Sequence, residues 1–250
     1  MGESQMREWI AGRNPVYETL RAGRRHFFQL WVAQGAQPKG RLAEIIELGR
    51  ERRLTIQEVP KQRLQALEAN HQGVALEASK YPYSSLIEML ALAEQRNEPA
   101  LILILDALQD PQNLGSLLRT AEVVGVHGVL LPLRHTVNVT PSVVGSSSGA
   151  SEHLLIAQVN LAQAIRELKE AGLWIIGLEG SRPAVRIDRA RLDGAVALVV
   201  GSEGAGMRAL VRDSCDVLVQ LPMRGEIDSL NASVAGSVAL YMVWMARRSD

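Results

Sequence analysis

The chain has 250 residues, 47% of them apolar and 22% charged, with 27 basic and 27 acidic side chains. That profile fits a folded globular chain of one large or two modest domains and argues against extended disorder. Its one cysteine, Cys215, rules out an internal disulfide, and five scattered histidines add no metal-ligand spacing, so no metal is expected.

The first residues are polar and lack an apolar signal core, so a cytoplasmic location is expected. The uncharged, mostly apolar run at residues 231–246 falls short of the roughly 20 apolar residues that a membrane span needs and contains Asn231, Ser233 and Ser237. A buried or interface helix is expected there, and no membrane partner. Charge is uneven along the chain: residues 1–80 carry 13 Lys and Arg against 9 Glu, residues 81–250 carry 14 against 18. The asymmetry suits an RNA-facing amino-terminal part and equally suits solvated helix faces.

In chain order, residues 9–15 read as a short strand entering a turn, with Pro15 opening a helix that runs through Leu20. Residues 27–33 predict a strand and 39–53 a helix with Leu42, Ile45, Ile46 and Leu48 near helical spacing. A strand at 54–59, a helix at 61–69 with Leu64 and Leu67 inward, and a strand at 73–78 complete a small α/β domain over residues 1–80. The turn Asn70-His71-Gln72-Gly73 reads as a helix stop with Gly73 left-handed. Residues 81–98 are expected to be a linker and a helix capped by Ser84 or Ser85, ended by Glu98-Pro99.

From residue 99 onward the pattern changes to apolar runs separated by turns and helices. Strands are expected at 100–105, 126–131, 173–178, 195–200 and 216–221, with helices at 114–124 and 160–171, the signature of a parallel sheet buried on both faces. Ligands of such sheets bind beyond the carboxyl ends of strands. Here those ends carry Asn113, Glu179-Gly180, the loop Gly201-Ser202-Glu203-Gly204-Ala205-Gly206-Met207, and the turn Asp228-Ser229-Leu230-Asn231. The glycine loop has neither the dinucleotide spacing nor the Lys-Ser/Thr of a phosphate-gripping loop. Close approach of backbone to a neutral or cationic ligand fits it better. Gly201-Ser202-Glu203-Gly204 lacks nucleophile-elbow spacing, and residues 143–149 are expected to form a helix turn near the pocket and not a catalytic site.

Three stretches together resemble the SpoU, or TrmH-type, family of RNA ribose 2′-O-methyltransferases in the SPOUT superfamily. They are Asp110-Pro111-Gln112-Asn113-Leu114-Gly115-Ser116-Leu117-Leu118-Arg119-Thr120-Ala121, the loop 201–207, and Ser229-Leu230-Asn231-Ala232-Ser233-Val234-Ala235. The resemblance extends to the first 80 residues, where Gly12-Arg13-Asn14-Pro15-Val16 and Asn70-His71-Gln72-Gly73-Val74-Ala75 are similar to an RNA substrate-binding domain of the ribosomal protein L30e type.

The resemblance implies an α/β chain with an L30e-like domain at 1–80 and a methyltransferase domain at 99–250 that ends in a deep trefoil knot. It implies S-adenosylmethionine as cofactor, a homodimer, and an RNA substrate, with a guanosine of 23S rRNA favoured over tRNA or another rRNA nucleotide. A non-catalytic RNA-binding protein keeping the fold is the alternative. Gly201, Leu221 and Leu230 would line the cofactor, Arg119, Asn113, Glu203, Ser229 and Asn231 would serve catalysis, and Arg13, Asn14, His71 and Gln72 would meet RNA. A guanidinium is almost never neutral, so Arg119 is expected to stabilise a developing alkoxide instead of acting as a simple base.

Overall fold

The computed structural model describes residues 6–180, 184–226 and 229–247, so Asp228 of the polar turn lies outside the described residues. Two compact units emerge. The first takes the chain up to Pro82 together with Asn138–His153, and the second takes Tyr83–Val137 and Leu154 onward.

The first unit alternates β1 (Arg7–Ala11), α1 (Arg13–Ala22), β2 (Phe27–Ala33), α2 (Arg41–Glu51), β3 (Thr55–Val59), α3 (Lys61–Gln65) and β4 (Val74–Ser79). Its sheet has the order β1-β4-β2-β3, parallel only between β2 and β3. Helix α1 starts at Gly12, whose φ of 99° favours glycine and whose N–H donates to Val74 O at 3.2 Å. Gly73 is left-handed as expected, with φ 84°. Helix α3 stops at Gln65, short of the expected residue 69, and Leu67 is exposed while Leu64 is fully buried.

The second unit opens with α4 (Leu86–Arg96), capped by a Ser85–Glu88 capping box and closed by Asn97 at φ 53°. There follow β5 (Leu101–Leu105), α5 (Pro111–Val123) and β6 (Gly128–Pro132). The chain then contributes α6 (Pro141–Ser146) and a 3-10 turn (Ala150–His153) to the first unit before resuming with β7 (Ile156–Val159), α7 (Leu161–Glu170), β8 (Trp174–Leu178), β9 (Val185–Arg186), β10 (Val196–Val200), α8 (Ala209–Asp213), β11 (Val217–Gln220) and α9 (Ala232–Ala246). The sheet order is β7-β6-β5-β10-β8-β11-β9, and every pairing in it is parallel.

Strands β5 and β10 are wholly buried, as continuous apolar strands covered on both faces must be. Helix α5 begins three residues earlier than the apolar pattern suggests, because Asp110 caps it through Gln112 N–H (3.3 Å) and Asn113 N–H (3.0 Å) and Pro111 suits its first turn. Gly236 lets α9 lie tight against α5: a Cβ there would sit 2.6 Å from Leu117 Cδ2. Thr120 and Ser237 share a hydroxyl hydrogen bond of 2.9 Å across the same contact. Among the described residues no helix is long and apolar enough to cross a membrane, and no group of three metal-ligating side chains occurs.

Residues 143–149 belong to the first unit. Gly149, at φ 88°, fits against α1, where a Cβ would meet Glu18 Cβ at 2.6 Å. None of these residues is among those lining the cleft described next, so the expected helix turn forms but without a part in that cleft. The turn's tail supplies Glu152, whose carboxylate grips Arg25 in a bidentate pair at 2.8 and 2.7 Å, both side chains fully buried.

Candidate active site

At the carboxyl ends of the second unit's strands lies a cleft of about 1090 Å³. Gly201 follows β10, and the five residues 202–206 fold back on themselves: Ser202 and Gly206 exchange backbone hydrogen bonds of 3.0 Å in both directions. Gly204 and Gly206 take φ of 75° and 65°, which permits so short a reversal. Gly201 has no space for a side chain, since a Cβ would stand 2.3 Å from Gly206 C and 2.4 Å from Met207 N. Where the loop leaves, Arg208 is fixed to the fully buried Asp106 at the end of β5, by its N–H (2.8 Å) and its guanidinium (2.7 Å). The glycine loop is therefore held at both ends, with Glu203 at its turn.

Glu203 is where three parts of the chain meet. Its Oε1 accepts from Asn113 Nδ2 (3.3 Å), from Asn231 Nδ2, and from the Ala232 N–H (3.4 Å). Asn231 Nδ2 also donates to Asn113 Oδ1 at 3.0 Å, closing a ring of three side chains. Asn231 is at the same time the cap of α9: its Oδ1 accepts from the N–H groups of Ser233 (2.9 Å) and Val234 (3.2 Å). One amide thus spends its acceptor on the helix and its donors on the ring, which fixes its orientation. All three bonds to Glu203 fall on Oε1, and Oε2 has no partner among the described residues.

The structure brings Asn113, Glu203 and Asn231 together and lines the cleft with Gly201, Leu221, Ser229 and Leu230. Arg119 lies on the exposed face of α5, six residues beyond Asn113 and so roughly 9 Å along the axis. In the first unit the Arg13 and Gln72 turns are joined by Arg13 N–H to Gln72 Oε1 (2.9 Å) and Arg13 Nε to Gln72 O (3.2 Å). His71 Nδ1 accepts from the Gly73 N–H at 2.9 Å, and Asn14 is exposed one residue along from Arg13. Sequence reasoning passed over Asp106 and Arg208, although an aspartate closing a wholly apolar strand was a visible signal.

Comparison with known proteins places this geometry. Residues 100–241 match the SpoU rRNA Methylase family, and residues 9–84 match the RNA 2′-O ribose methyltransferase substrate-binding family. The chain belongs to the SpoU methylase family. It is 43% identical over 98% of both chains to the Bacillus subtilis protein YacO, which bears the name of a TrmH-family tRNA/rRNA methyltransferase. It is 40% identical to a similarly named Staphylococcus haemolyticus protein over 95% of each chain.

Among solved structures, a SpoU methylase from Streptomyces viridochromogenes, AviRb, in complex with AdoMet, superposes with a TM-score of 0.81 at 23% identity, covering 98% of this chain and 92% of that one. An RNA 2′-O ribose methyltransferase superposes at 0.76 with 26% identity, covering 98% and 90%. As a SpoU methylase, then, this chain is an RNA methyltransferase with a separate substrate-binding domain.

Proposed function

We propose that the chain transfers a methyl group from S-adenosylmethionine to a ribose 2′-hydroxyl of RNA, with a guanosine of 23S rRNA as the favoured target, and that it works as a cytoplasmic homodimer. The ring of Asn113, Glu203 and Asn231 at the edge of the cleft carries the reading, because two helix beginnings and one loop, distant in sequence, deliver it to one place.

The cleft suits the methyl donor. Its volume is of the size that small-ligand sites take, and Gly201 and Gly206 keep side chains out of the wall so that main-chain groups are open to adenine and the amino-acid moiety. Gly201, Leu221 and Leu230 would hold the donor by backbone. When bound, S-adenosylmethionine supplies an electrophilic methyl group.

The chain must do the rest, chiefly by orientation. Asn113 and Asn231 position the target ribose, and Ser229 offers a hydroxyl at the same edge of the cleft. Arg119 stabilises charge as the 2′-oxygen loses its proton. Of the three ring members only Glu203 can take up a proton, and its Oε2 is the oxygen not engaged within the ring. Arg13, Asn14, His71 and Gln72 bind RNA outside the catalytic cleft. We infer too that the last segment is threaded to form the knot that the family resemblance implies.

Incubating the protein with tritiated S-adenosylmethionine and either 23S rRNA or tRNA tests the reading. Label in a ribose 2′-O-methyl of 23S rRNA is expected. Label confined to tRNA would move the substrate, and label in a base would reject the chemistry.

A further inference from the structure

The floor of the cleft holds a carboxylate that none of these roles uses. Glu179 follows β8, whose neighbours in the sheet are β10 and β11. Those neighbours end in Gly201 and Leu221, so Glu179 stands between the two loops that would grip the donor. Its N–H donates to Val219 O at 2.9 Å, and its Oε1 accepts from the Gly180 N–H at 3.1 Å, which holds the side chain against its own loop.

Gly206 faces it without a side chain: a Cβ there would lie 3.7 and 3.8 Å from the two carboxylate oxygens. Among the described residues no cation pairs with Glu179. Arg186, which also lines the cleft, is held in a bidentate pair by Asp188 at 3.0 and 2.8 Å.

We propose that Glu179 is the subsite for the vicinal ribose hydroxyls of the methyl donor, taking a hydrogen bond from each. This rests on the donor reading above. The order of strand ends across the cleft is Asn113 after β5, Glu203 after β10, Glu179 after β8 and Leu221 after β11, with adjacent strands roughly 4.8 Å apart.

The methyl end of the donor belongs beside the ring that positions the acceptor, on the β5 and β10 side. The part lying over β8 is then one strand further in, where the ribose joins the sulfur-bearing chain to the base. A carboxylate has two acceptor oxygens and a vicinal diol two donors, and acidic side chains read ribose hydroxyls in other nucleotide pockets. A ligand that covered Glu179 without offering donors would strand a desolvated charge, so the residue selects for hydroxyls.

Calorimetry on the folded protein tests this with S-adenosylmethionine, S-adenosylhomocysteine, and the 2′-deoxy and 3′-deoxy forms of the latter. The wild-type chain is expected to bind S-adenosylhomocysteine about tenfold more tightly than either deoxy form. Glu179→Ala should weaken both natural ligands by about 10- to 100-fold and abolish the discrimination against the deoxy forms.

Glu179→Gln, which keeps the shape and one acceptor oxygen, should lose less and serves if the alanine variant does not fold. Undiminished discrimination in the folded variants would overturn the proposal. So would unchanged affinities, or a loss confined to S-adenosylmethionine, which would make Glu179 a partner of the sulfonium. Failure of the wild-type chain to bind either natural ligand would instead reject the donor reading, and this subsite with it.

Discussion

Asn231 Nδ2 donates to Asn113 Oδ1 at 3.0 Å, joining the first turns of α5 and α9 across 118 residues of sequence. Both helices have apolar faces that pack on each other, and both present a polar first turn at the same edge of the cleft. Two of the ring's three members therefore stand at helix beginnings, where Asn231 is already fixed by the backbone N–H groups it caps, and the third, Glu203, comes from the glycine loop.

Arg119 projects from α5 beyond this ring. Replacing it with alanine should leave the fold intact and lower methyl transfer by about 10²–10³, the usual loss for one group that stabilises a developing oxyanion. Single-turnover assays with labelled donor check this, and a near-normal rate in folded protein would remove Arg119 from the mechanism.

Gly201 is the position where the cleft tolerates least. A Cβ 2.3 Å from Gly206 C cannot be accommodated without moving the loop. Gly201→Ala is expected to cost about 1–3 kcal/mol of stability and to weaken donor binding, read by urea denaturation and calorimetry. Wild-type values in both would show that the loop yields freely.

His127 gives a pH signature. It is buried, its Nδ1 accepts the Leu101 N–H at 3.0 Å, and its Nε2 meets Glu98 at 3.0 Å. Burial pushes its pKa below the usual histidine value despite the Glu98 carboxylate. The fold therefore holds neutral imidazole, while the unfolded chain takes up a proton near pH 6.5. Stability should be full above that pH and fall as pH drops toward the lower folded value, by at most about 1.4 kcal/mol per pH unit. Comparing urea midpoints at pH 7.5 and 5.5, His127→Gln should show a smaller fall than wild type; equal falls would assign the dependence elsewhere.

In the first unit, burial alone would depress Arg25, but Glu152 and Glu8 outweigh it and hold its pKa above the ordinary value. Burial pushes Glu8 up even beside that arginine. Glu152, bidentate and fully buried, is thus the main partner. Glu152→Ala should cost about 3–5 kcal/mol by leaving a buried guanidinium short of a partner, measured by thermal or urea unfolding. A loss under 1 kcal/mol would mean that the other acceptors of the guanidinium, Glu8 and the Ser79 carbonyl at 2.9 Å, suffice.

On α9, Val234, Val238, Tyr241 and Met245 form one exposed apolar stripe at spacings of four, three and four. A homodimer would cover it, and Val238→Asp should then convert a species of twice the chain mass to a monomer in sedimentation. A monomeric wild-type chain would contradict that assembly.

Much of this was legible in the sequence where local chemistry decides. The runs at Leu101–Leu105 and Val196–Val200 read as buried strands, the Ser84-Ser85 pair marks the start of α4, where the structure uses Ser85, and Asn160 marks that of α7. What escaped depends on distant partners. Nothing in the residues around Glu152 announces its burial, which only Arg25, 127 residues earlier, explains. The two-residue β9 and the short α8 lack a period to detect. Asn113, Glu203 and Asn231 were identified through motif resemblance, whereas the bonds that close them into a ring belong to the folded chain alone.

Mapping 2′-O-methyl groups over all rRNA and tRNA from cells with and without this protein tests the central claim most directly. Loss of one ribose methyl from a guanosine of 23S rRNA, restored by the wild-type chain and not by Arg119→Ala, is the expected result. An unchanged ribose-methylation map, or a lost mark that proves to be on a base, would contradict the account.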